Sequence, residues 1–558
     1  MADARSAAQP WWKSAVVYQI YPRSFMDSDG DGVGDLKGVI ARLDHVQALG
    51  VDVVWLSPHF DSPGADNGYD IRDYRKVLAA FGSMADFDAM LAEMTARGLR
   101  LIIDLVANHT SDEHCWFVES RRDPTGPYGD FYIWADGKDG GPPNNYPAIF
   151  GGSAWTWDAG RGQYYLHLFT PQQPDLNWDN PRVRAEIYDL MRFWLDKGVA
   201  GFRMDVIAFI SKTPGLPDLT PEQLERPERA YACGPRLQDY LREMQCEALA
   251  GRDSMTVGEA FGVSTQQLQT LVDERHGALN MAFDFALVDL PPGGFALPQF
   301  KAVLARQDRL AGDHGWNAAF LGNHDQPRAV SHFGDDDPAW RMASAKTLAT
   351  VLLTLRGTPF IYQGEEIAMA NAPFAGIDDF QDVWAKTLWR EKVLSGRQSA
   401  EAVLRRLRLT GRDNARTPMQ WDAGPGAGFT TGAPWLKLNP DAAWVNVQAQ
   451  AGDPNSVLAH YRRLIALRKA EPALVFGAYR DLDPEHPAAY AFTRTLEGKS
   501  FLILSNFCRA ELDYELPAGI AIEDLVLSSE AIAPDTAPGP GPRIRLVGWA
   551  SAIFEIAP

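Results

Sequence analysis

The 558-residue chain is long enough for two or three domains around a sizeable core, and 46% apolar with 22% charged residues is an ordinary globular composition. A formal charge of -19 excludes the basic face that nucleic acid or an anionic membrane requires, so a neutral small molecule is the partner to look for. No stretch approaches the roughly 18 apolar residues of a membrane span, the N-terminus MADARSAAQPWWKSAVVYQIYP has no signal-peptide core, and Cys115, Cys233, Cys246 and Cys508 form no C-x-x-C pair. The expectation is a soluble cytoplasmic protein without a disulfide scaffold or zinc cluster; its oligomeric state is not readable, and a monomer is compatible with the sequence.

The first predicted strand, AVVYQIYP (15–22), leads into DSDGDGVGDLKG (27–38). Asp27, Asp29 and Asp31 with the carbonyl of Val33 match the head of a calcium loop, whose positions 1, 3, 5 and 7 supply hard oxygen ligands. Gly38 stands where an EF-hand places its glutamate, so the loop is not a complete EF-hand, and Asp35 is the candidate to close the shell. An acidic surface turn would read the same way, and the loop alone does not separate the two.

Further β-branched runs follow: VDVVWLSP (51–58), LRLIIDLVANH (99–109), GFRMDVI (201–207), MTVGEA (255–260), ALNMAFDF (278–285), AAFLGNHD (318–325) and GTPFIYQGEE (357–366). Helical patterns such as FDAMLAEMTARG (87–98) and VRAEIYDLMRFWLDKG (183–198) lie between them and close on a glycine. Eight strands separated by helices predict an α/β fold, a closed parallel (β/α)8 TIM barrel, over 1–110 and 181–475. Residues 111–180, rich in Pro, Gly, Asn and Trp and without a helical period, predict an inserted lobe after strand 3. SVLAHYRRLIALRKAEP is the last barrel helix, with Val457, Tyr461, Leu464, Ile465 and Arg468 at spacings of three and four. From 476 to 558, AAYAFTRT, SFLILSNF and IRLVGWASAIFEI alternate as in a C-terminal antiparallel β-sandwich domain, and the Pro-rich APDTAPGPGPR (533–543) reads as a loop.

In such a barrel, catalytic groups come from the C-terminal ends of different strands. Asp104, Asn108 and His109 follow the third, Arg203 and Asp205 lie on the fourth, Glu259 ends the fifth, and His324 and Asp325 end the seventh. Arg203 and Asp205, two apart on a strand, share a face, and a guanidinium there is expected to lower the acid's pKa as a carboxylate nucleophile requires. Glu259, with no basic residue adjacent in TVGEAFG, is expected in an apolar surround that suits a general acid. Two carboxyls with opposed protonation needs suggest retaining glycoside hydrolysis. An isolated Arg-x-Asp is most often a plain ion pair; the joint order on three strands is the signal. Seventeen Trp and seventeen Tyr add flat faces that stack on sugar rings.

With DNGYDIRDY, DLVANHTSDEH, QPDLNWDN, GFRMDV, VGEAFG, GNHDQPR, GTPFIYQGEE and GRDNARTPMQW, the chain resembles the α-amylase-type superfamily of glycoside hydrolases. Within it, the resemblance is to the group of oligo-1,6-glucosidase (isomaltase), dextran glucosidase and sucrose isomerase. It implies that Asp205 is the nucleophile, Glu259 the acid and then base, and Asp325 the third acid, gripping sugar hydroxyls. It also implies that His109 and His324 bond the same glucose, that Asp66, Tyr69, Phe169, Gln173 and Arg412 shape a closed-ended pocket for one terminal glucose, and that Asp27, Asp29, Asp31, Val33 and Asp35 hold a structural Ca2+. The glucosyl chemistry itself demands no metal. Amino-acid transporter heavy chains share this barrel, but with a membrane anchor and incomplete acids, neither of which the sequence shows.

Val206, QPDLN and Gln326 resemble the hydrolytic, α-1,6-preferring members. Phe261, Phe285 and SKTPGLPDLTPEQ (211–223) resemble sucrose isomerases, in which two aromatics clamp the leaving sugar, while ALVDLPPGG (286–294) departs from the charged R-x-D-R-x loop of those enzymes. The expectation is hydrolysis of short α-1,6-linked substrates such as isomaltose, with isomaltulose or trehalulose also accepted. The alternative is a sucrose isomerase, or an α-glucosidase with strong transglucosylation.

Overall fold

In a computed structural model, residues 9 to 557 are described except 313, 531, 533 and 536 to 542. Most of the predicted Pro-rich loop, and the first eight residues of the N-terminus, therefore lie outside the described residues. All eight predicted strands form: β1 (Val17–Ile20), β2 (Val53–Leu56), β3 (Arg100–Val106), β4 (Gly201–Asp205), β5 (Met255–Glu259), β6 (Met281–Phe283), β7 (Ala318–Phe320) and β8 (Thr358–Tyr362). They pair in parallel in the order β6-β5-β4-β3-β2-β1-β8-β7, and a parallel bridge between Ala282 and Asn317 brings the two ends together. This is a nearly closed eight-stranded barrel.

The two faces of each strand explain its sequence. Val17, Val53, Trp55, Ile102, Met255, Val257, Phe283 and Phe320 fill the barrel interior, while Tyr18, Val54, Leu101, Ile103, Phe202 and Met204 face the surrounding helices. Those helices carry the expected caps. Met84–Ala96 opens on a Ser83–Asp86 capping box, and Pro181–Lys197 opens on Asn180 and ends at Gly198 with φ 106°. The last barrel helix, Val457–Ala470, buries Val457, Tyr461, Leu464, Ile465 and Arg468. Arg468 tolerates that core position because its guanidinium donates to the carbonyls of Leu353, Leu355 and Leu474.

The insertion after β3 holds a three-stranded antiparallel sheet, Trp134–Ala135, Gln163–Leu166 and Trp155–Asp158. It also contains a helix, Cys115–Arg122, where the sequence shows no helical period: the helix is only eight residues long, too short to establish one, and His114 caps it.

After the barrel, β9 (Ala478–Asp481), β10 (Ala489–Leu496), β11 (Lys499–Asn506), β12 (Leu512–Glu515), β13 (Ile522–Ser528), β14 (Pro534–Asp535), β15 (Arg543–Leu546) and β16 (Ser551–Ile556) form two antiparallel sheets. The larger has the order β9-β10-β11-β16-β13 and the smaller β12-β15-β14. Alternation along β10 and β11 assigns the faces: Tyr490, Phe492, Phe501 and Ile503 join the core shared with the barrel helices, while Ala489, Leu502 and Leu504 pack with Leu512, Tyr514, Ile544 and Leu546 of the smaller sheet. Among the described residues, no helix is long and apolar enough to cross a membrane.

Candidate active site

The same alternation that fills the barrel delivers its charges. Met255 and Val257 of β5 point inward, so Glu259 does too; Arg203 and Asp205 occupy the corresponding positions on β4, and Asp104 follows Ile102 on β3. Gly201 begins the β4 face with φ 152°, and a Cβ there would sit 1.9 Å from the Met255 carbonyl oxygen, so only glycine lets β4 and β5 approach this closely.

At the top of the barrel one guanidinium serves three carboxyls. Arg203 Nη1 lies 2.6 Å from Asp104 Oδ1 and 2.5 Å from Asp205 Oδ1, and Nη2 lies 2.8 Å from Glu259 Oε2. This corrects two expectations. Glu259 does have a basic partner, supplied by the neighbouring strand rather than by its own segment. Nor does Arg203 prevail at Asp205: burial pushes that carboxyl well above the usual range, Arg203 pulls it down, and Glu259 and Asp104 push it up again. One cation against three buried acids favours retention of a proton within the cluster. Asp104 is pushed up to about 6, again by burial against the pull of Arg203.

Val206, directly after Asp205, adopts φ 33° and ψ 39°, a left-handed conformation strained for a β-branched residue. There its N–H donates to Glu259 Oε2 at 2.9 Å, so the strained turn ties the end of β4 to the acid on β5.

A cavity of about 170 Å3 opens above these groups, lined by Asp66, Tyr69, His109, Phe169, Gln173, Asp205, Val206, Glu259, Phe261, Phe285, Asp325, Gln326 and Arg412. Thirteen residues singled out from the sequence thus meet around one cavity. Its volume is well below the 300–1,000 Å3 of common ligand clefts, so it suits a single ring. Arg412 Nη2 reaches Asp66 Oδ1 at 2.9 Å across one end, and Gln173 Nε2 donates to Asp66 Oδ2 at 3.2 Å. Burial pushes Asp66 up to about 6 against the pull of Arg412 and Arg416.

Arg203 and His324 stand behind the lining rather than in it. Tyr69 stacks on His324 with ring centres 5.4 Å apart. Gln19 Nε2 lies 2.8 Å from His324 Nδ1; with the amide donating, the ring proton falls on Nε2, which faces Asp325 Oδ2 at 3.0 Å and the Tyr69 hydroxyl at 2.6 Å. Burial lowers both His324 and His109 to about 4, so both rings are neutral at neutral pH. At Asp325 burial raises the pKa, but His324, Arg412 and Arg416 together hold it well below the usual range. Phe261 and Phe285 stand side by side with centres 5.6 Å apart.

Residues 19–477 match the family described as alpha amylase, catalytic domain. The chain belongs to this family. It is a glycoside hydrolase, 48% identical over 98% of its length, and 99% of the relative's, to an oligo-1,6-glucosidase of Parageobacillus thermoglucosidasius. A palatinase of Erwinia rhapontici is 46% identical over 91% of this chain and 92% of its own. A solved structure of an isomaltulose synthase mutant from Erwinia rhapontici NX5 with its natural substrate sucrose superposes with a TM-score of 0.97 at 49% identity, covering 99% of this chain and 100% of that one.

Four residues of the candidate site escape sequence reasoning. Ile149 and Phe150 line the cavity from the inserted lobe, and the Arg412 guanidinium lies 4.7 Å over the Phe150 ring. Arg416, one helical turn after Arg412, reaches Asp325 Oδ1 at 2.6 Å; the spacing of four within GRDNARTPMQW is the signal that could have found it. Asp382, fully buried, accepts from Arg412 Nε at 2.9 Å and faces Arg416 Nη1 at 3.5 Å, yet nothing in FQDVW marks it.

The acidic loop stands apart from this site. Oxygens of Asp27, Asp29 and Asp35 converge within 4.8 Å of one another, whereas Asp31 is exposed, accepts from the Val33 N–H at 2.7 Å, and is not among them.

Proposed function

We propose that this glycoside hydrolase is a retaining, exo-acting α-glucosidase that removes terminal, mainly α-1,6-linked glucose from short oligosaccharides such as isomaltose, and also accepts isomaltulose or trehalulose. The carrying observation is the small cavity sealed at one end by Arg412 and Asp66, with Asp205 and Glu259 joined through Arg203 at its base. A sealed end admits one terminal ring and no through-chain.

In this reading the proton the cluster retains sits on Glu259 and leaves Asp205 as the carboxylate: Asp205 attacks the anomeric carbon while Glu259 gives that proton to the departing oxygen, forming a glucosyl ester. Glu259, now a carboxylate, takes a proton from water, which attacks the same carbon, frees Asp205 and releases glucose with retained configuration. Retention wants the two carboxyls about 5–5.5 Å apart, a spacing a shared guanidinium favours. Asp325, held ionised, and the neutral His109 grip the sugar hydroxyls as positive charge develops on the ring, while His324, expected from the sequence to bond the same glucose, orients Asp325 from behind the lining. The α-1,6 preference is supported by Val206 in the cavity wall and by relatives named oligo-1,6-glucosidase.

A second reading, sucrose isomerase or strong transglucosylase, is favoured by one observation: Phe261 and Phe285 pair at the cavity wall, where they could retain a leaving fructose. Purified protein given isomaltose, maltose, isomaltulose and sucrose separately decides. Fast cleavage of isomaltose supports hydrolysis; isomaltulose or trehalulose as the main product from sucrose, or maltose cleaved far faster than isomaltose, overturns it.

The acidic loop fits calcium. Its donors are hard oxygens, no Lys, Arg or His pairs with Asp27, Asp29 or Asp35 among the described residues, and Asp27 is anionic: burial would raise it, but Thr430 and the N–H groups of Gly30, Gly32 and Asp29 hold it low. Asp27, Asp29 and Asp35 would hold the ion with the Val33 carbonyl, while Asp31, exposed and turned to the Val33 N–H, would not, and the ion's role is to stabilise the loop. A cytoplasmic location is part of the same proposal, in keeping with four free cysteines.

A further inference from the structure

We infer that Gln19, on β1 and outside the glucose pocket, is a positioning residue for the hydrolysis: its amide fixes the ring proton of His324 on the side that faces Asp325. The inference rests on the reading of Asp325 as the acid that grips the sugar in the transition state.

Gln19 is buried in the barrel wall, in register with Trp55 of β2 and Tyr362 of β8. Its Nε2 lies 2.8 Å from His324 Nδ1 and 3.0 Å from Ser57 Oγ. The ring it meets is held in plane. Tyr69 and Tyr21 lie nearly parallel to it, with centres 5.4 and 5.8 Å away, and Trp55 meets it edge-on at 5.9 Å. With the plane fixed by packing, the polar partners of the two ring nitrogens decide which of them carries the proton.

At Nε2 those partners are Asp325 Oδ2 at 3.0 Å and the Tyr69 hydroxyl at 2.6 Å. A bare nitrogen there would turn a lone pair on a carboxylate that is held ionised, so the proton belongs on Nε2. A neutral imidazole carries one ring proton, which makes Nδ1 an acceptor and requires the Gln19 amide to donate. Turning the amide oxygen to the ring would demand a second ring proton, and burial with Arg203 and Arg416 nearby opposes that imidazolium. Ser57 Oγ takes the second amide N–H. The same polarity runs onward: since Nε2 accepts nothing, the Tyr69 hydroxyl proton is left for Asp104 Oδ1 at 3.4 Å. One amide thus sets the direction of hydrogen bonds that reach both Asp325 and the carboxyl cluster at Arg203.

The charged and titratable groups that face the His324 ring are Asp325 beside it, Tyr21 and Tyr69 parallel to it, Arg203 from β4 and Arg416 from the 413–416 helix. Gln19 adds a neutral donor to this set, so exchanging it for an anionic acceptor changes the charge of the ring and not only its packing.

The test measures kcat and KM for isomaltose against pH, with thermal melts, in the wild type, Gln19→Leu and Gln19→Glu. Gln19→Leu keeps the bulk and removes the donor. Because the grip of Asp325 tightens in the transition state, kcat should fall about ten- to a hundredfold while KM changes less than about threefold. In Gln19→Glu, Nδ1 takes a proton from solvent and the imidazolium offsets the charge of Asp325. The acid limb of kcat should then move upward by about 1 pH unit or more, with activity recovering as the ring loses that proton at higher pH. A kcat unchanged in Gln19→Leu, or an acid limb in Gln19→Glu that coincides with the wild type's, overturns the inference while leaving the glucose pocket intact. If Gln19→Glu does not fold, the separation of kcat from KM in Gln19→Leu decides, and equal losses in the two constants overturn the inference. A wild type that cleaves no isomaltose overturns the underlying reading, and the inference with it.

Discussion

Arg203 Nη2 lies 2.8 Å from Glu259 Oε2, across from the strand that carries Asp205. Among the described residues, this guanidinium is the sole cation paired with Asp104, Asp205 or Glu259. Arg203→Gln leaves those acids to repel one another, which should destabilise the fold by about 3–5 kcal/mol and lower kcat/KM at least about a hundredfold. Because the lost cation lowered the carboxyl pKa values, the acid limb of kcat/KM against pH moves upward. An acid limb that stays in place argues against shared control of the two acids.

Arg412 seals the pocket against Asp66 and leans on Asp382. Arg412→Ala removes the seal and one grip on Asp325, so KM for isomaltose should rise about ten- to a hundredfold. Asp382→Asn should move KM the same way by less, since the guanidinium keeps its other carboxylates. Steady-state kinetics on the two variants checks both, and an unchanged KM in Arg412→Ala counts against the closed pocket.

Glu365, just past β8, has both carboxyl oxygens buried without a hydrogen-bond partner, and burial pushes it up to about 8. A carboxyl raised in the folded state binds more protons there than when unfolded, so it removes stability as pH rises from its unfolded value near 4.5 through 8. Glu365→Gln mimics the neutral acid. The variant's stability gain over its value at acid pH should be small below about pH 4 and grow by up to about 1.4 kcal/mol per pH unit between about pH 5 and 7, levelling off near 8. Thermal melts across that range test this, and a gap independent of pH contradicts it.

If calcium fills the loop of Asp27, Asp29 and Asp35, chelation lowers Tm while leaving activity well below Tm unchanged. Returning calcium at a hundred times its Kd should restore about 2.7 kcal/mol, and Asp27→Ala should abolish the response. A Tm indifferent to chelator and to calcium removes the ion from the account.

Much of this was legible in the sequence because period-two alternation both fills a barrel and aims its charges. Met255, Val257 and Glu259 follow one inward face, and the eight strands were visible from such runs. Contacts between strands were not legible: Arg203 was read with Asp205, two residues away, while its reach to Glu259 depends on β4 lying beside β5. Asp382 and Phe150 were missed for a related reason, since each sits in an irregular segment whose position only the folded barrel sets. The helix Cys115–Arg122 was missed because two turns make too little pattern.

The most direct test of the catalytic assignment is to trap the ester. Glu259→Gln, supplied with an activated aryl α-glucoside whose leaving group needs no acid, should accumulate one glucosyl unit, and mass spectrometry of its peptides should place it on Asp205. A glucosyl group on any other side chain, or release of β-glucose as the first product of the wild type, would contradict the account.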